Sequence, residues 1–371
     1  MRLKYTCPVC GTPLGYKGLC WKCKSEQERR DVLAWTPEQI KEKQEGLIRN
    51  IQRLSDMEDP EFTDFWNLLG YRDAITPEIQ QAALASRVFY PWEIYYRARS
   101  DVRDGLIAAL METEDSNGAS NLMCCLAMQG DDRALEILLE LEQNPRPWRK
   151  KLYVNPSIYA QCGGWTFDKE GDRTQLNFNT CYPMVKGTPG EVSPVRMGRV
   201  RKDTCPHCNG QMMDMLVLDG RDERLSFLGL DGILTASCCP NCVGFLQGPA
   251  FNRFTMDGGV EIFPSKLYDG EEKMECYVRP EDYEELTGNP FVLGKASVPL
   301  FYGAGTDDVN TIGGFANWVQ DWEYISCPQC GKPMKYLAQI QWDTVYECAE
   351  GTLYIEFCLD CHIVSMQHQQ T

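Results

Sequence analysis

Twelve cysteines fall into three sets of four, each with the spacing of a thiolate metal site. The first set is Cys7, Cys10, Cys20 and Cys23. The second is Cys205, Cys208, Cys239 and Cys242, and the third is Cys327, Cys330, Cys358 and Cys361. A C-x2-C step lets both sulfurs of one tight turn face the same ion. Two such turns complete the tetrahedral shell that Zn²⁺ takes at about 2.3 Å per bond. One C-x2-C alone is weak evidence; three matched double pairs predict three zinc sites. A catalytic zinc keeps one position open to water, usually behind three ligands rich in histidine. The chain has three histidines, His207, His362 and His368. The first two adjoin cysteine ligands, where the turn is expected to point the ring outward; replacement of a thiolate in the shell is the alternative. Neither H-E-x-x-H nor H-x-E…P-C-x-x-C occurs, so zinc protease and deaminase chemistry lack their signatures. The expectation is three closed, structural zinc sites and a protein that is not an enzyme.

Length and composition suit a multidomain protein of a reducing compartment. The 371 residues predict two or three domains, and 43% hydrophobic content can build real cores. Met1 to Thr6 has no apolar run of a signal peptide, and no stretch approaches the ~20 apolar residues that span a bilayer. The other cysteines (Cys124, Cys125, Cys162, Cys181, Cys238, Cys276 and Cys348) are scattered and odd in number, a poor disulfide framework. They read as buried small hydrophobes, since none has a neighbouring histidine to activate it. The expected location is cytoplasmic, with no membrane partner.

The net charge of −16 disfavours nucleic acid, whose affinity comes largely from lysine and arginine releasing counterions. Two basic runs, Arg146 to Lys151 and Arg196 to Lys202, read as solvated loops, with phosphate contact as the alternative. An acidic surface favours steered capture of a basic protein; solubility alone is the bland reading.

Around these residues the pattern predicts an α+β multidomain chain in three parts. Residues 1–30 form an N-terminal four-cysteine zinc ribbon, from which Lys24 to Asp31 leads out as a polar stretch. Residues 31–150 form an α-helical, HEAT-like region. There Thr36-Pro37-Glu38-Gln39 is a helix start with a capping box, and Ile40, Leu47, Ile48, Ile51 and Leu54 make an inward stripe. Asp59-Pro60 ends that element, Thr76-Pro77 and Pro91-Trp92 open others, and short stripes between Val102 and Leu141 suggest stacked helices without a fixed repeat period. Residues 151–371 are β-rich. Within them 200–246 and 322–366 look like two copies of one zinc ribbon. Cys205-Pro206-His207-Cys208 aligns with Cys327-Pro328-Gln329-Cys330, Met212 with Met334, and Gly232-Ile233-Leu234 with Gly351-Thr352-Leu353. Strands Met213–Leu218 and Lys335–Ile340 carry the chain away from the first turn, and Gly232–Ser237 and Thr352–Phe357 bring it back. A ribbon is too small to bury a core, so metal supplies folding energy, about 10–16 kcal/mol in zinc-finger peptides.

The run Val298 to Gly303, then Ile312, Gly313, Gly314, Trp318 and Gln320, then Leu337, Ala338, Gln339 and Ile340 among the third cysteine set resembles the YwqG-like family of bacterial proteins. More distantly it resembles the C-terminal region of eukaryotic programmed cell death proteins. The resemblance covers about the last seventy residues. It implies a β-rich unit that cradles a client protein, with no generally established reaction. Relatives encoded near secreted polymorphic toxins imply a role as a toxin immunity protein.

The leading expectation is therefore a non-enzymatic zinc-binding protein that neutralises a cognate protein, a basic toxin domain above all. Trp318, Trp322, Tyr324 and Trp342 are candidate anchors for that partner, with burial in the sheet as their other use. A client-binding chaperone for a basic protein, such as a ribosomal one, is the alternative. An uncharacterised enzyme comes third, because the loops Asp219–Glu223 and Thr306–Asp308 are ordinary turn compositions and Gly303-Ala304-Gly305 matches no phosphate-binding fingerprint.

Overall fold

Helices fill the first part of the chain, and side-chain caps stand at the foot of most of them, Thr36, Asp59, Asp115 and Asp131 among these. In the computed structural model, which describes residues 4–188, 190–246, 248–263, 274–283, 287–288, 290–301, 309–345 and 349–371, a minimal hairpin comes first. It consists of β1 (Tyr5–Thr6) and β2 (Pro13–Leu14), and it leads into α1 (Trp21–Leu33). The stretch expected as a polar lead-out is thus helical. Cys20 is its N-cap, and Lys24–Glu28 and Glu26–Arg29 pair along its face. Next come α2 (Pro37–Arg49), α3 (Pro60–Gly70), α4 (Pro77–Ala85), α5 (Ser100–Glu112), α6 (Ser116–Gln129) and α7 (Asp132–Gln143). The capping box of α2 is present: Gln39 N donates to Thr36 Oγ1 and Thr36 N to Gln39 Oε1. Such a cap contributes about 1 kcal/mol.

Some local readings change. Asp59-Pro60 does not close a helix but opens α3, with the Asp59 carboxylate accepting from Glu61 N. Pro91 precedes only a short 3-10 turn, Trp92–Tyr95. Of the predicted α2 stripe, Leu47, Ile51 and Leu54 are buried, whereas Ile48 is exposed, since the helix ends at Arg49 and a 3-10 turn redirects the chain. Tyr302 and Gly303 of the resembling motif, Ala304-Gly305, Thr306–Asp308 and Cys348 lie outside the described residues.

The β-rich part begins with β3 (Trp165–Phe167), β4 (Arg173–Gln175) and β5 (Cys181–Lys186). A three-stranded sheet follows, β6 (Val195–Thr204), β7 (Gln211–Asp219) and β8 (Ile233–Cys238), and then α8 (Pro240–Phe245). The remaining strands are β9 (Ala250–Phe254), β10 (Val260–Phe263), β11 (Phe291–Leu293), β12 (Thr311–Gly313), β13 (Lys335–Gln341), β14 (Thr352–Cys358) and β15 (Ile363–Gln369). With β5 they form an eight-stranded sheet in the order β10-β9-β15-β14-β13-β12-β5-β11, every neighbouring pair antiparallel.

The two sheets pack face to face. Leu216, Leu218, Leu234 and Ala236 share one core with Leu337, Ile340, Leu353, Ile355 and Phe357. The opposite face of the large sheet is polar, and it holds the segment that carries the Gly-Gly…Trp…Gln motif. Gly313 and Gly314 both take positive φ (69° and 72°), a turn open to glycine at little cost, and start the segment across the strands. Side chains of the sheet then bind its backbone. Asn317 N donates to Gln339 Oε1 (2.8 Å), Val319 N to the Tyr354 hydroxyl (2.9 Å) and Ile325 N to Glu356 Oε2 (2.8 Å). Gln369 Nε2 donates to Asp321 O (3.1 Å). The motif is therefore a strap fastened to a sheet. Its outer side closes the helical core, where Phe315 packs edge-on against Tyr96 and Trp322 lies tilted against Tyr159.

Candidate metal centres

Each four-cysteine set converges. Within every set the four sulfur atoms all lie within 4.8 Å of one another. Individual separations include 3.5 Å for Cys10–Cys20, 3.6 Å for Cys205–Cys242, 3.5 Å for Cys208–Cys239 and 3.8 Å for Cys330–Cys358. Four ligands at about 2.3 Å around a tetrahedral ion would stand roughly 3.8 Å apart. The sulfurs thus fit a divalent metal, and the twelve residues singled out by spacing are the twelve brought together.

The first half of every site is built identically. The chain turns so that Cys7 N donates to Thr12 O, Cys205 N to Gly210 O and Cys327 N to Lys332 O, each at 2.8 Å. The residue after the second cysteine is left-handed in all three: Gly11 (φ 76°), Asn209 (59°) and Gly331 (73°). Glycine or asparagine is what that backbone region admits at low cost. Backbone N–H groups also point at sulfur, from His207 to Cys205 (3.4 Å) and from Gly210 to Cys208 (3.3 Å).

The ribbon copies match beyond the turns. Met213 pairs with Cys238 and Asp214 with Ser237; one residue, Met215, is then skipped before Leu216 meets Ala236. Lys335 pairs with Phe357 and Tyr336 with Glu356; Leu337 is skipped, and Ala338 meets Ile355. Even the closing bonds correspond, Gly220 N to Gly232 O and Trp342 N to Gly351 O. Met212 and Met334 are both buried. Gly232 and Gly351 are glycine because a Cβ would lie 2.6 Å from Met256 O in one case and 2.2 Å from Gln369 O in the other.

The second halves differ. Cys20 and Cys239 are N-caps of α1 and α8, while Cys358 ends β14 and Cys361 lies in the turn before β15. Protons are unevenly shared within each set. Cys7 is lowered to about 6, first by the Cys20 backbone, whereas Cys23 is pushed up to about 12 by burial and by the other sulfurs. Cys208 is held far below the ordinary thiol value by bonds from Cys205, Cys239 and Cys242; Cys239 and Cys242 are driven up by Cys205 and Cys208. Four adjacent thiolates repel one another, and a bound cation is what allows all four to ionise.

The histidines are not among the grouped ligands. His207 is buried rather than turned outward, as are all four cysteines of the second site beside it. His362 lies against Phe254, and His368 stacks on Trp342. The basic run Arg196–Lys202 is no loop: it forms most of edge strand β6. From there Arg199 Nε (2.5 Å) and Arg201 Nη1 (3.1 Å) bond the buried Asp214 carboxylate, which also accepts from Ser237 Oγ. The Arg146–Lys151 run is a 3-10 turn anchored by buried Trp148. Among the aromatic anchors, Trp342 is buried and Trp318 packs on Tyr354 and Tyr324, so these rings hold the sheet and strap together rather than standing free.

Spacing did not reveal Asn241, inside the second site's Cys-Pro-Asn-Cys turn. It is 1% exposed, and its amide clamps the distant backbone of Glu275, Tyr277 and Val278. An asparagine among ligands was the available signal, but its partner is a segment more than thirty residues away.

Among the described residues no helix is long and apolar enough to cross a membrane. No family model matches the chain, and no solved structure matches it. It is similar to a Salmonella typhimurium (strain LT2) protein named "Uncharacterized protein YpfL", 29% identical over 284 residues. That match takes in 75% of this chain and 64% of the relative, so the chain spans less than two thirds of the relative's length.

Proposed function

We propose that this is a cytoplasmic, non-enzymatic zinc protein that binds and neutralises another protein, most specifically an immunity protein against a basic toxin domain. The observation that carries the non-catalytic part is the donor set. Each site gathers four sulfurs within 4.8 Å, with no histidine or carboxylate in the group. Four thiolates fill the tetrahedral shell of Zn²⁺, leaving no position for the water or substrate that zinc catalysis needs. The metals then serve as folding cross-links for ribbons that lack cores of their own.

The net charge of −16 supports a basic partner. The exposed carboxylates Asp101 and Asp104 on α5 and Asp132 and Glu136 on α7 are each paired with an arginine, so it is the overall acidic excess that would speed encounter with a basic partner and disfavour phosphate backbones. The likeness to YwqG-like proteins supports the immunity role.

The test pairs metal analysis with co-expression. Purified protein is expected to hold three zinc ions per chain. It is also expected to co-purify with, and restore growth against, a basic toxin domain encoded beside it. A solvent ligand on any of the metals would overturn the non-catalytic reading. Failure to rescue, with stable capture of a ribosomal or other housekeeping protein instead, would replace immunity by a chaperone role.

A further inference from the structure

We propose that Cys276 is a resolving thiol for the second four-cysteine site, so that a small peroxide links Cys208 to Cys276 as a disulfide and opens that site. The placement is built in. Asn241 donates from Nδ2 to Glu275 O (3.2 Å) and accepts at Oδ1 from Tyr277 N (2.7 Å) and Val278 N (3.3 Å). One side chain from within the ligand turn thereby pins the loop carrying Cys276 against the site. Phe245 of α8 adds an edge-on contact to Tyr277 at 5.6 Å.

Gly210 keeps the two sulfurs in view of each other. A Cβ there would lie 2.6 Å from Cys276 Sγ and 3.1 Å from Cys208 Sγ, so both atoms border one small gap that any side chain at this position would fill. Of the four ligands, Cys208 is the most accessible, 6% exposed against 1% for Cys205 and 0% for Cys239 and Cys242. Cys276 is itself only partly covered, which gives a small oxidant a path to this corner. The third ribbon shows the contrast. At the positions matching Gly210 and Asn241 it carries Lys332 and Asp360, joined by an ion pair at 2.9 Å.

The chemistry balances with hydrogen peroxide as the oxidant. The Cys208 thiolate attacks one peroxide oxygen; the O–O bond breaks, the departing hydroxide takes a proton from solvent as water, and a sulfenic acid remains. Cys276 gives up its proton, and its sulfur attacks the Cys208 sulfur. The S–O bond breaks, and the leaving hydroxide takes that proton to form a second water. Two electrons pass from the sulfurs to peroxide. Three thiolates remain at the site, too few to complete the shell, so the metal becomes exchangeable.

The test treats the 371-residue, zinc-loaded chain with a few equivalents of hydrogen peroxide. Zinc release is followed with a chromophoric chelator, and linked peptides are mapped by mass spectrometry. The expected result is a Cys208–Cys276 cross-link appearing together with one released zinc, both reversed by a dithiol reductant with added zinc. Cys276→Ser and Cys276→Ala, each first shown to bind as much zinc as the parent, should release that zinc at least about tenfold more slowly. Asn241→Ala, which keeps every thiol, should form less of the cross-link. Equal release rates with and without Cys276, or a disulfide confined to the four ligands, would overturn the proposal.

Discussion

The second and third ribbons pair their strands residue for residue and skip the same position, yet they inhabit different surroundings. In the second, all four cysteines are buried, and β7 carries Asp214 where β13 carries Tyr336. In the third, Cys330 is exposed, and Cys358 and Cys361 are partly so. Where the second ribbon has Ser237, beside the Asp214 carboxylate, the third has the fully buried Glu356, whose Oε2 takes the Ile325 N–H of the strap. The turn chemistry and strand register belong to the metal-holding unit and repeat. The residues pointing away from it differ because each copy is covered by something else: the second by the 274–278 loop and β9, the third by the strap and by β15.

That contrast can be broken first at the metals. Cys239→Ser should abolish binding of one metal ion and lower the melting temperature by on the order of 10 °C, since it removes a donor from the fully buried four-cysteine group. Cys330→Ser, at an exposed corner, should cost clearly less. Metal analysis and thermal melts on the two variants decide it; equal losses would mean that burial does not distinguish the sites.

The ion cluster comes next. Removing both arginines, as Arg199→Met with Arg201→Met, strands the buried Asp214 carboxylate. The expected cost is about 3 kcal/mol, the low end for a stranded buried charge because both guanidinium groups are partly exposed. Urea unfolding measures it, and a loss no larger than for an ordinary surface pair would show that Ser237 alone satisfies the carboxylate.

Glu356 supplies a pH test. Burial raises its carboxyl well above the ordinary value, with the Ile325 N–H opposing, so between the unfolded and folded values the fold holds a proton that the unfolded chain releases. The stability it lends is whole below the unfolded value and declines as pH climbs toward the folded one. Across that window each pH unit costs about 1.4 kcal/mol. Glu356→Gln should remove the slope, so the variant gains on the parent as pH rises above the ordinary carboxylate range. Parallel pH profiles for the two proteins would refute a neutral Glu356. The smallest effect is expected at Lys332→Ala. Its ion pair with Asp360 is solvent-exposed, and the unfolding midpoint should barely move at ordinary salt.

Much of this was legible in the chain. The ligands, the paired strands Met213–Leu218 and Lys335–Ile340, and the matching glycines at 232 and 351 all follow from short-range rules. Two sulfurs must leave one turn, alternate residues must face one core, and a closing strand must pass close to another backbone. Less legible were Asp59, the Arg196–Lys202 run and His207. Each has a local reading that tertiary packing overrides: a helix terminus became a helix start, a basic loop became a strand with two of its arginines on Asp214, and an outward ring was covered.

By itself, then, the sequence determined which atoms could hold metal and how each ribbon would turn, because chelation and strand alternation depend on residues close in number. Only the tertiary structure decided which site is more deeply buried, which motif residues strap a sheet, and that Asn241 brings Cys276 beside Cys208. Those outcomes depend on which surfaces meet after the ribbons have formed, and distance along the chain carries no trace of that.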